Sequence, residues 1–383
     1  MYFSSTADSL HAPKNPLYLL LDEIRRDGRH VTDLVRGNVN EHGIVFPPED
    51  LNDILREAAE AARVYRPDSF GQETARAAIS AYYAARIPSG QILLTPGTSV
   101  SYWYCFKLLA ETDDEILTPQ PSYPLFDYIA KLCGVRLTHY RLREAEDWAI
   151  DLEHLENQIS TRTRAIVLIS PHNPTGMTAD ADTLRGLAGI ARRHGLPIIS
   201  DEVFSEFLFG IDRLPRASET DAPLVFTLNG LSKMFALPGM KIGWIAVSGD
   251  DAFVKKAMSS LELMSDAFLP VNEIAQFATP GIFARGRAFL ERYRNWVAER
   301  RRDALDALSG CRLVEPRGGF YITLPIPHDE ETAALRLLRE SHILAHPGYF
   351  YDIPPNHLVM TFVHNPGSAR EAFSKIKKEC AGV

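Results

Sequence analysis

From about residue 90 onward, the sequence alternates short runs rich in β-branched residues with longer segments of helical periodicity. The runs predict seven strands, at residues 92–95, 115–118, 136–142, 165–170, 197–200, 225–228 and 241–247. The helical segments between them include residues 100–110, 124–133 and 181–194. Strand–helix alternation is typical of βαβ units. It predicts an α/β three-layer sandwich, in which helices cover both faces of a mostly parallel seven-stranded sheet.

The C-terminal part of the chain has a different pattern. A long helical stretch at 271–309 leads to a segment with fewer strands, predicted at 319–324 and 358–363. A chain of 383 residues is long for one hydrophobic core, so about two domains are expected. We predict an N-terminal arm with part of the small domain, a large domain and a smaller α+β domain, at residues 1–50, 51–280 and 281–383.

Composition and charge argue against several classes of protein. The formal net charge is −8, which disfavours nucleic acid or an anionic membrane as a partner. No apolar run approaches the roughly 20 residues of a membrane-spanning helix. The first residues lack the basic start and cleavage site of a signal peptide. The four cysteines are too widely spaced for a metal site or a dense disulfide framework, which favours reduced thiols in a cytoplasmic protein.

Three polar clusters follow three of the predicted strands. They are Gly97-Thr98-Ser99, residues 170–173 and Asp201-Glu202. Ligand sites in parallel sheets lie beyond the carboxyl ends of the strands, so we predict that all three clusters line one crevice. A helix N-terminus such as 97–99 binds phosphate well. Taken singly, however, each cluster is equally typical of a plain helix cap or turn.

Lys233 follows a buried strand candidate and stands behind Gly230 and Ser232. Most lysines are solvated surface charges, and this is the alternative to a functional role. A lysine in a crevice loses hydration, which makes its amine nucleophilic enough to form a Schiff base with an aldehyde cofactor. Asp201 either caps a turn or pairs with a protonated pyridine nitrogen of such a cofactor.

Five segments, in this order, resemble the fold-type I, class I/II aminotransferases of the aspartate and alanine aminotransferase kind. They are TPGTS (95–99), PQPSYP (119–124), SPHNPTG (170–176), SDEVF (200–204) and LSKMFALPGMKIGW (231–244). The resemblance implies the PLP transferase fold, with pyridoxal 5′-phosphate (PLP) bound by the large domain. It also implies a homodimer that transfers an amino group from an amino donor to a 2-oxo acid by a ping-pong mechanism.

The resemblance also implies roles for individual residues. Lys233 would hold the cofactor as a Schiff base and act as acid and base for the proton shift. Asp201 would pair with the pyridinium nitrogen, Asn173 would hydrogen-bond the ring oxygen, and Tyr123 would stack on the ring. The phosphate would be held by residues 97–99. Ser232 or Asn229 would assist them.

Four further positions complete the predicted site. Tyr65 would reach across a dimer interface to the phosphate of the partner subunit, and Gly37 would belong to a loop that closes over the substrate. Phe204 replaces a tyrosine that the family usually carries, and the lost phenol donor predicts a raised pKa for the Schiff base. Lys241 replaces a usual arginine, so it would contact the phosphate without a two-pronged fork.

A third departure from the family concerns the substrate. The family usually has an arginine that binds the substrate carboxylate through paired hydrogen bonds, and we align Val359 with it. No arginine lies between Arg339 and Arg370, which puts the usual specificity for α-amino acids in doubt. The candidates for a replacement cation are Arg317 and, less strongly, Arg36, Arg66 and His364. Each of the four is more often a surface or structural residue.

Three functions are compatible with these residues. The first is an aminotransferase. The second is a PLP-dependent lyase, decarboxylase or synthase, which the missing arginine favours because carboxylate anchoring controls which Cα bond breaks. The third is a non-catalytic sensor or partner-binding protein on the same fold, and the retention of Lys233 argues against it.

Overall fold

The structure is a computed structural model that describes residues 2–10 and 13–380. Its strands are β1 (Thr32–Asp33), β2 (Ile92–Thr95), β3 (Glu115–Gln120), β4 (Arg136–Arg143), β5 (Ala149–Ile150), β6 (Thr163–Ile169), β7 (Ile198–Asp201), β8 (Leu224–Gly230), β9 (Gly243–Gly249), β10 (Tyr321–Pro325), β11 (Ile343–Leu344), β12 (His346–Pro347) and β13 (His357–Thr361). Its helices are α1 (Ser5–Ser9), α2 (Pro16–Arg26), α3 (Pro48–Ala61), α4 (Glu73–Tyr82), α5 (Thr98–Leu109), α6 (Leu125–Cys133), α7 (Leu152–Asn157), α8 (Ala181–His194), α9 (Leu231–Met234), α10 (Asp251–Asp266), α11 (Glu273–Arg285), α12 (Arg287–Ala307), α13 (Glu330–Ser341) and α14 (Pro366–Ile376). Within this described part, no helix is both long and apolar enough to cross a membrane.

Among the described residues, the largest sheet has eight strands in the order β2-β9-β8-β7-β6-β3-β4-β5. Strands β8, β7, β6, β3 and β4 pair in parallel, and β9 runs antiparallel to β2 and β8. All seven predicted strands are present, so the mostly parallel sheet is confirmed. The eighth strand, β5, pairs antiparallel with β4 at the edge. Its two residues are too few to show a periodicity in the sequence.

Helices cover both faces of this sheet. Within β6, Ala165, Val167 and Ile169 belong to an apolar cluster with residues of α5, α6 and α10. Ile166 and Leu168 belong to a second cluster with residues of α8. Successive side chains of a strand point to opposite faces, so the two clusters lie on opposite sides of the sheet. The three-layer arrangement is therefore confirmed.

A second, smaller sheet has the order β10-β13-β12 and is antiparallel. Strand β1, from the N-terminal segment, pairs in parallel with β11 near the C-terminus. The two strands predicted in the C-terminal part correspond to β10 and β13. The division into three segments at 50/51 and 280/281 stays a prediction. Residues 1, 11, 12 and 381–383 of the predicted segments lie outside the described part.

The long helical stretch predicted at 271–309 consists of two helices, α11 and α12, separated at Gly286. A Cβ atom at Gly286 would lie 2.4 Å from the carbonyl oxygen of Ile282 and 2.7 Å from Cε1 of Phe235. Only glycine allows this close approach. The break depends on a contact with a residue 51 positions earlier in the chain (286 − 235), which helical periodicity does not reveal.

Candidate active site

A cleft opens beyond the carboxyl ends of β6, β7 and β8. The described residues that line it are Gly97, Thr98, Ser99, Tyr102, Tyr123, Ile169, Asn173, Asp201, Val203, Phe204, Gly230, Ser232, Lys233, Ile242 and Tyr321. The three polar clusters that follow the strands each contribute to this lining. The predicted convergence of three loops on one crevice is therefore present in the structure.

Lys233 lies in the short helix α9, directly after β8 ends at Gly230. A Cβ atom at Gly230 would lie 2.7 Å from the carbonyl oxygen of Ile242, so the turn that presents the lysine packs tightly against the start of β9. The Lys233 Nζ lies 5.9 Å from the centre of the Phe204 ring. Burial lowers the pKa of Lys233, because the ammonium form loses its hydration. The neutral amine that burial favours is the nucleophilic form.

Asp201 ends β7 and is buried at the floor of the cleft. The Tyr102 hydroxyl donates to its Oδ2 at 2.8 Å, and the Val203 N–H donates to its Oδ1 at 3.0 Å. Burial raises the pKa of Asp201 to about 6, against the opposing effect of these two hydrogen bonds. At neutral pH, Asp201 is therefore a buried carboxylate. A charge in such a position favours a cationic partner within the cleft.

The N-terminus of α5 forms another side of the cleft. Its N-cap, Gly97, has φ 129° and ψ 162°, a conformation that favours glycine. No side chain caps the helix, so its first N–H groups are free for a ligand. A Cβ atom at Gly243 would lie 2.9 Å from the Gly97 Cα, and this glycine lets β9 pass beneath the loop. Together with the hydroxyls of Thr98 and Ser99, the helix end forms an anion site.

Asn173, Tyr123 and Tyr321 supply uncharged polar groups to the cleft. The Asn173 Oδ1 is buried without a hydrogen-bond partner, which is costly unless a ligand supplies one. Burial raises the pKa of both tyrosines, so their phenols are protonated at neutral pH. These groups can donate and accept hydrogen bonds.

The sequence profile described as "Aminotransferase class I and II" matches residues 47–376 of this chain. The chain belongs to this family. It is similar to the glutamate-pyruvate aminotransferase AlaA of Escherichia coli strain K12, with 28% identity over 397 residues that cover 96% of this chain and 95% of that protein. It is similar to the alanine aminotransferase of Mycobacterium tuberculosis strain H37Rv, with 28% identity, 92% of this chain and 86% of that protein.

Solved structures agree with this family. An alanine aminotransferase from Pyrococcus furiosus has a TM-score of 0.90 and 26% identity, and the match covers 99% of this chain and 100% of that one. An aminotransferase from Escherichia coli has a TM-score of 0.89 and 28% identity, with 100% and 98% covered. The chain is thus a PLP-dependent aminotransferase that uses an amino donor and a keto acid. The lyase, decarboxylase or synthase alternative is not favoured.

The cleft of the aminotransferase fits PLP in its chemistry. The free N–H groups at the start of α5 suit a phosphate, and the buried Asp201 carboxylate suits a protonated pyridine nitrogen. The amine of Lys233 suits an aldehyde. The Asn173 amide lines the same cleft, and its NH2 group can donate to a ring oxygen. PLP carries a phosphate, a pyridine nitrogen, an aldehyde and a ring oxygen, and the features that suit these four groups lie in one cleft.

Three residues predicted to contact the cofactor lie outside the lining of the cleft. Asn229 is buried behind it, where its Nδ2 donates to Ser205 Oγ at 3.1 Å and its Oδ1 accepts the Gly230 N–H at 2.8 Å. Lys241 is exposed and has φ 53°. Tyr65 is exposed and lines a different cavity with Leu269. Their predicted cofactor contacts stay untested predictions.

The two predicted substrate residues have different environments. Gly37 lines a second cavity that adjoins the cleft, since Ser232 and Lys233 line both. A Cβ atom at Gly37 would lie 4.0 Å from the Tyr321 hydroxyl. Arg317 is exposed, and its guanidinium lies 3.4 Å from the Asp147 carboxylate rather than in the cleft. Gly37 is therefore near the cleft, and Arg317 is not among the residues that line it.

Two aromatic residues of the cleft were not predicted as site residues. Tyr102 lies one helical turn after Thr98, so the period of α5 places it on the same face. Tyr321 begins β10, directly after the Gly318–Phe320 segment. The helical spacing signals Tyr102 in the sequence, whereas Tyr321 reaches the cleft only through the packing of the smaller sheet against the larger one.

We expect Tyr102→Phe to weaken cofactor binding by about tenfold or more, because a hydrogen bond to a charged group contributes roughly 1.5–3 kcal/mol. Loss of the phenol donor also raises the pKa of Asp201 further above its ordinary value. Titration of cofactor-free protein with PLP, followed by fluorescence, measures the dissociation constant. Tyr104→Phe, on the same helix but outside the cleft, is the matched control. Equal affinities in the two variants would contradict this role of Tyr102.

Proposed function

We propose that this aminotransferase transfers an amino group from an amino donor to a 2-oxo acid by a ping-pong mechanism, with Lys233 as the Schiff-base lysine and proton carrier. The observation that carries the proposal is the meeting of a buried amine, Lys233, and a buried carboxylate, Asp201, in one cleft. Both half-reactions use this cleft, so the donor product leaves before the acceptor enters.

PLP, when bound, supplies an electron sink and carries the amino group between the two half-reactions. Asp201 would hold the pyridine nitrogen in its protonated form. Residues 97–99 and Ser232 would bind the phosphate, and Asn173 would donate to the ring oxygen. Tyr123 would stack on the ring and exclude water from it. Phe204, Tyr65 and Lys241 would complete the proposed cofactor contacts, and Gly37 would belong to the proposed loop over the substrate. Asn229 would support the cofactor site from behind, through the hydrogen bond that its Oδ1 accepts from the Gly230 N–H.

Lys233 moves the proton that transamination requires. Its amine is buried, and the lowered pKa leaves a larger neutral fraction at neutral pH than an exposed lysine has. A neutral amine accepts a proton from the carbon that carries the amino group, and the resulting ammonium returns it to another carbon. The single residue therefore serves as base and then as acid.

A screen of amino donors tests the proposal. Purified enzyme loaded with PLP is mixed with each donor in the absence of an acceptor, and the visible absorbance of the bound cofactor is followed. We expect an effective donor to remove this absorbance and to yield one equivalent of keto or aldehyde product, and a 2-oxo acid to restore it. Release of ammonia or carbon dioxide as the main product would contradict transamination.

We also propose a homodimer, in which Tyr65 reaches the phosphate site of the partner subunit. Tyr65 is 68% exposed, and Leu263 and Phe268 are 72% and 66% exposed. Exposed apolar side chains of this size are typical of an interface when they lie close together. Tyr65 lines a cavity with Leu269, the chain neighbour of Phe268, and the Phe268 ring contacts Trp103. Sedimentation should give twice the chain mass of 42.8 kDa. Sedimentation as a monomer at micromolar concentration would contradict the proposal.

Finally, we propose a cytoplasmic location. Cys105, Cys133, Cys311 and Cys380 are free thiols in the described structure. Thiols stay reduced in the cytoplasm and tend to oxidise in secreted proteins. Cell fractionation followed by immunodetection should recover the protein with cytoplasmic markers.

A further inference from the structure

Val359 lies at the position where the sequence lacks the expected arginine, and it is not among the described residues that line the cleft. Val359 lies in β13, is 1% exposed, and packs in one cluster with Tyr351 and Ile353. Tyr321, which lines the cleft, packs against the same cluster. The Tyr351 hydroxyl lies 3.1 Å from Nδ1 of His346, and burial lowers the pKa of His346 to about 4. Behind Tyr321, this side of the cleft therefore consists of apolar side chains, the Tyr351 phenol and a neutral imidazole, and together with Tyr321 they form an uncharged wall.

The basic residues considered as replacements lie in other environments. Lys233 is the one basic residue among the described residues that line the cleft. Arg317 faces Asp147 at 3.4 Å and is 58% exposed. Arg36 faces Asp33 at 3.6 Å and is 62% exposed, although it lines the adjoining cavity. Both guanidinium groups thus already have a carboxylate partner.

The two remaining candidates do not supply a charge to the cleft either. Arg66 is exposed and lies outside the lining residues. His364 is buried, with Nε2 2.6 Å from Thr361 Oγ1 and Nδ1 3.0 Å from His42 Nε2. Burial and the neighbouring His42 lower the pKa of His364 to about 3. It is therefore neutral at the pH at which the enzyme works.

From this uncharged wall, we propose that the amino donor carries no carboxylate on the carbon that bears its amino group, and that it is a primary amine or an amino alcohol. The inference rests on the proposed transaminase function. A carboxylate in this position would lose hydration without gaining a charged, two-pronged partner. A hydroxyl or apolar substituent meets phenols that both donate and accept hydrogen bonds. The 2-oxo acid acceptor meets the same wall, so we expect it to saturate the enzyme only at high concentration.

Matched pairs of donors test the inference. Each pair contains an α-amino acid and the amine that lacks its carboxylate: phenylalanine with 2-phenylethylamine, alanine with ethylamine, and serine with ethanolamine. Single-turnover rates are measured on the loaded enzyme without an acceptor. An arginine fork favours the amino acid by about 10²–10⁴-fold. We expect the amine of at least one pair to react as fast as its amino acid or faster. A preference for the amino acid of more than tenfold in every reactive pair would overturn the inference while leaving the transaminase function intact.

A binding measurement decides the matter even if none of these donors reacts, an outcome that would count against the transaminase function alone. Calorimetry compares 3-phenylpropionate with 3-phenylpropanol as unreactive ligands of the loaded enzyme. We expect the alcohol to bind at least as tightly, and tighter binding of the carboxylate by more than tenfold would overturn the inference.

The same two ligands are measured on Arg36→Leu, with Arg317→Leu as the matched control. A carboxylate preference lost only in Arg36→Leu would likewise overturn the inference and assign carboxylate binding to Arg36.

Discussion

Replacing Lys233 by alanine is expected to lower the rate of transamination by about 10⁴-fold or more. The substitution removes the nucleophile that attaches the cofactor and the group that moves the proton, and general acid–base catalysis alone contributes roughly 10²–10⁴-fold. The substitution lies in a short helix at the edge of the cleft, so the sheet behind it should stay intact. Rates are measured with the best donor of the screen, and circular dichroism checks the fold.

Covalent attachment gives a readout that is independent of turnover. Borohydride reduction of the loaded enzyme should fix the cofactor to the peptide that contains Lys233, and mass spectrometry should find no such adduct in Lys233→Ala. Lys255→Ala is the matched control, because this lysine is exposed on α10 and lies outside the cleft. An adduct that persisted in Lys233→Ala would show that another lysine holds the cofactor.

Seven strands of the large sheet, strands β10 and β13, and helices α5, α6 and α8 were predictable because local periodicity determines them. The apolar runs that became β6, β7 and β8 are continuous, as strands buried on both faces of a parallel sheet must be. The break at Gly286 and the edge strand β5 were not predictable. The first depends on a long-range contact with Phe235, and the second has two residues that are held in place by pairing with β4.

The cleft was predictable to the extent that strand order in a parallel sheet brings strand ends together. The structure brings four separate segments of the chain into one lining, and they contribute Gly97, Asn173, Asp201 and Lys233. Side-chain direction was not predictable. Asn229 stands four residues before Lys233, yet its amide bonds Ser205 behind the cleft, because successive residues at the end of a strand point to opposite faces.

Asp201→Asn is expected to lower transamination by about 10²–10⁴-fold, because loss of one member of a buried ion pair costs roughly 3–5 kcal/mol. Asparagine has nearly the same shape, and the Tyr102 hydroxyl can still hydrogen-bond its amide. The loss therefore reports the charge toward the pyridine nitrogen rather than a cavity. Cofactor affinity, measured by fluorescence titration, should fall with the rate. Unchanged affinity and rate would refute the pairing proposed for Asp201.

The same substitution is expected to stabilise the cofactor-free protein at neutral pH. Burial raises the pKa of Asp201 from 3.8 to about 6, so between these values the folded state binds more protons than the unfolded state. The contribution of Asp201 to the free energy of unfolding is then largest below pH 4 and falls as pH rises through 6, by about 3 kcal/mol in total. Asparagine does not titrate, so Asp201→Asn should gain about this much stability relative to the native chain at pH 7.5 and nothing at pH 3.5.

Urea unfolding at both pH values measures the difference in free energy of unfolding between the two proteins, in which the contributions of other titrating groups cancel. A gain that is the same at both pH values would show that Asp201 is not desolvated in the empty cleft, and that the carboxylate is not held ready for a cationic ring.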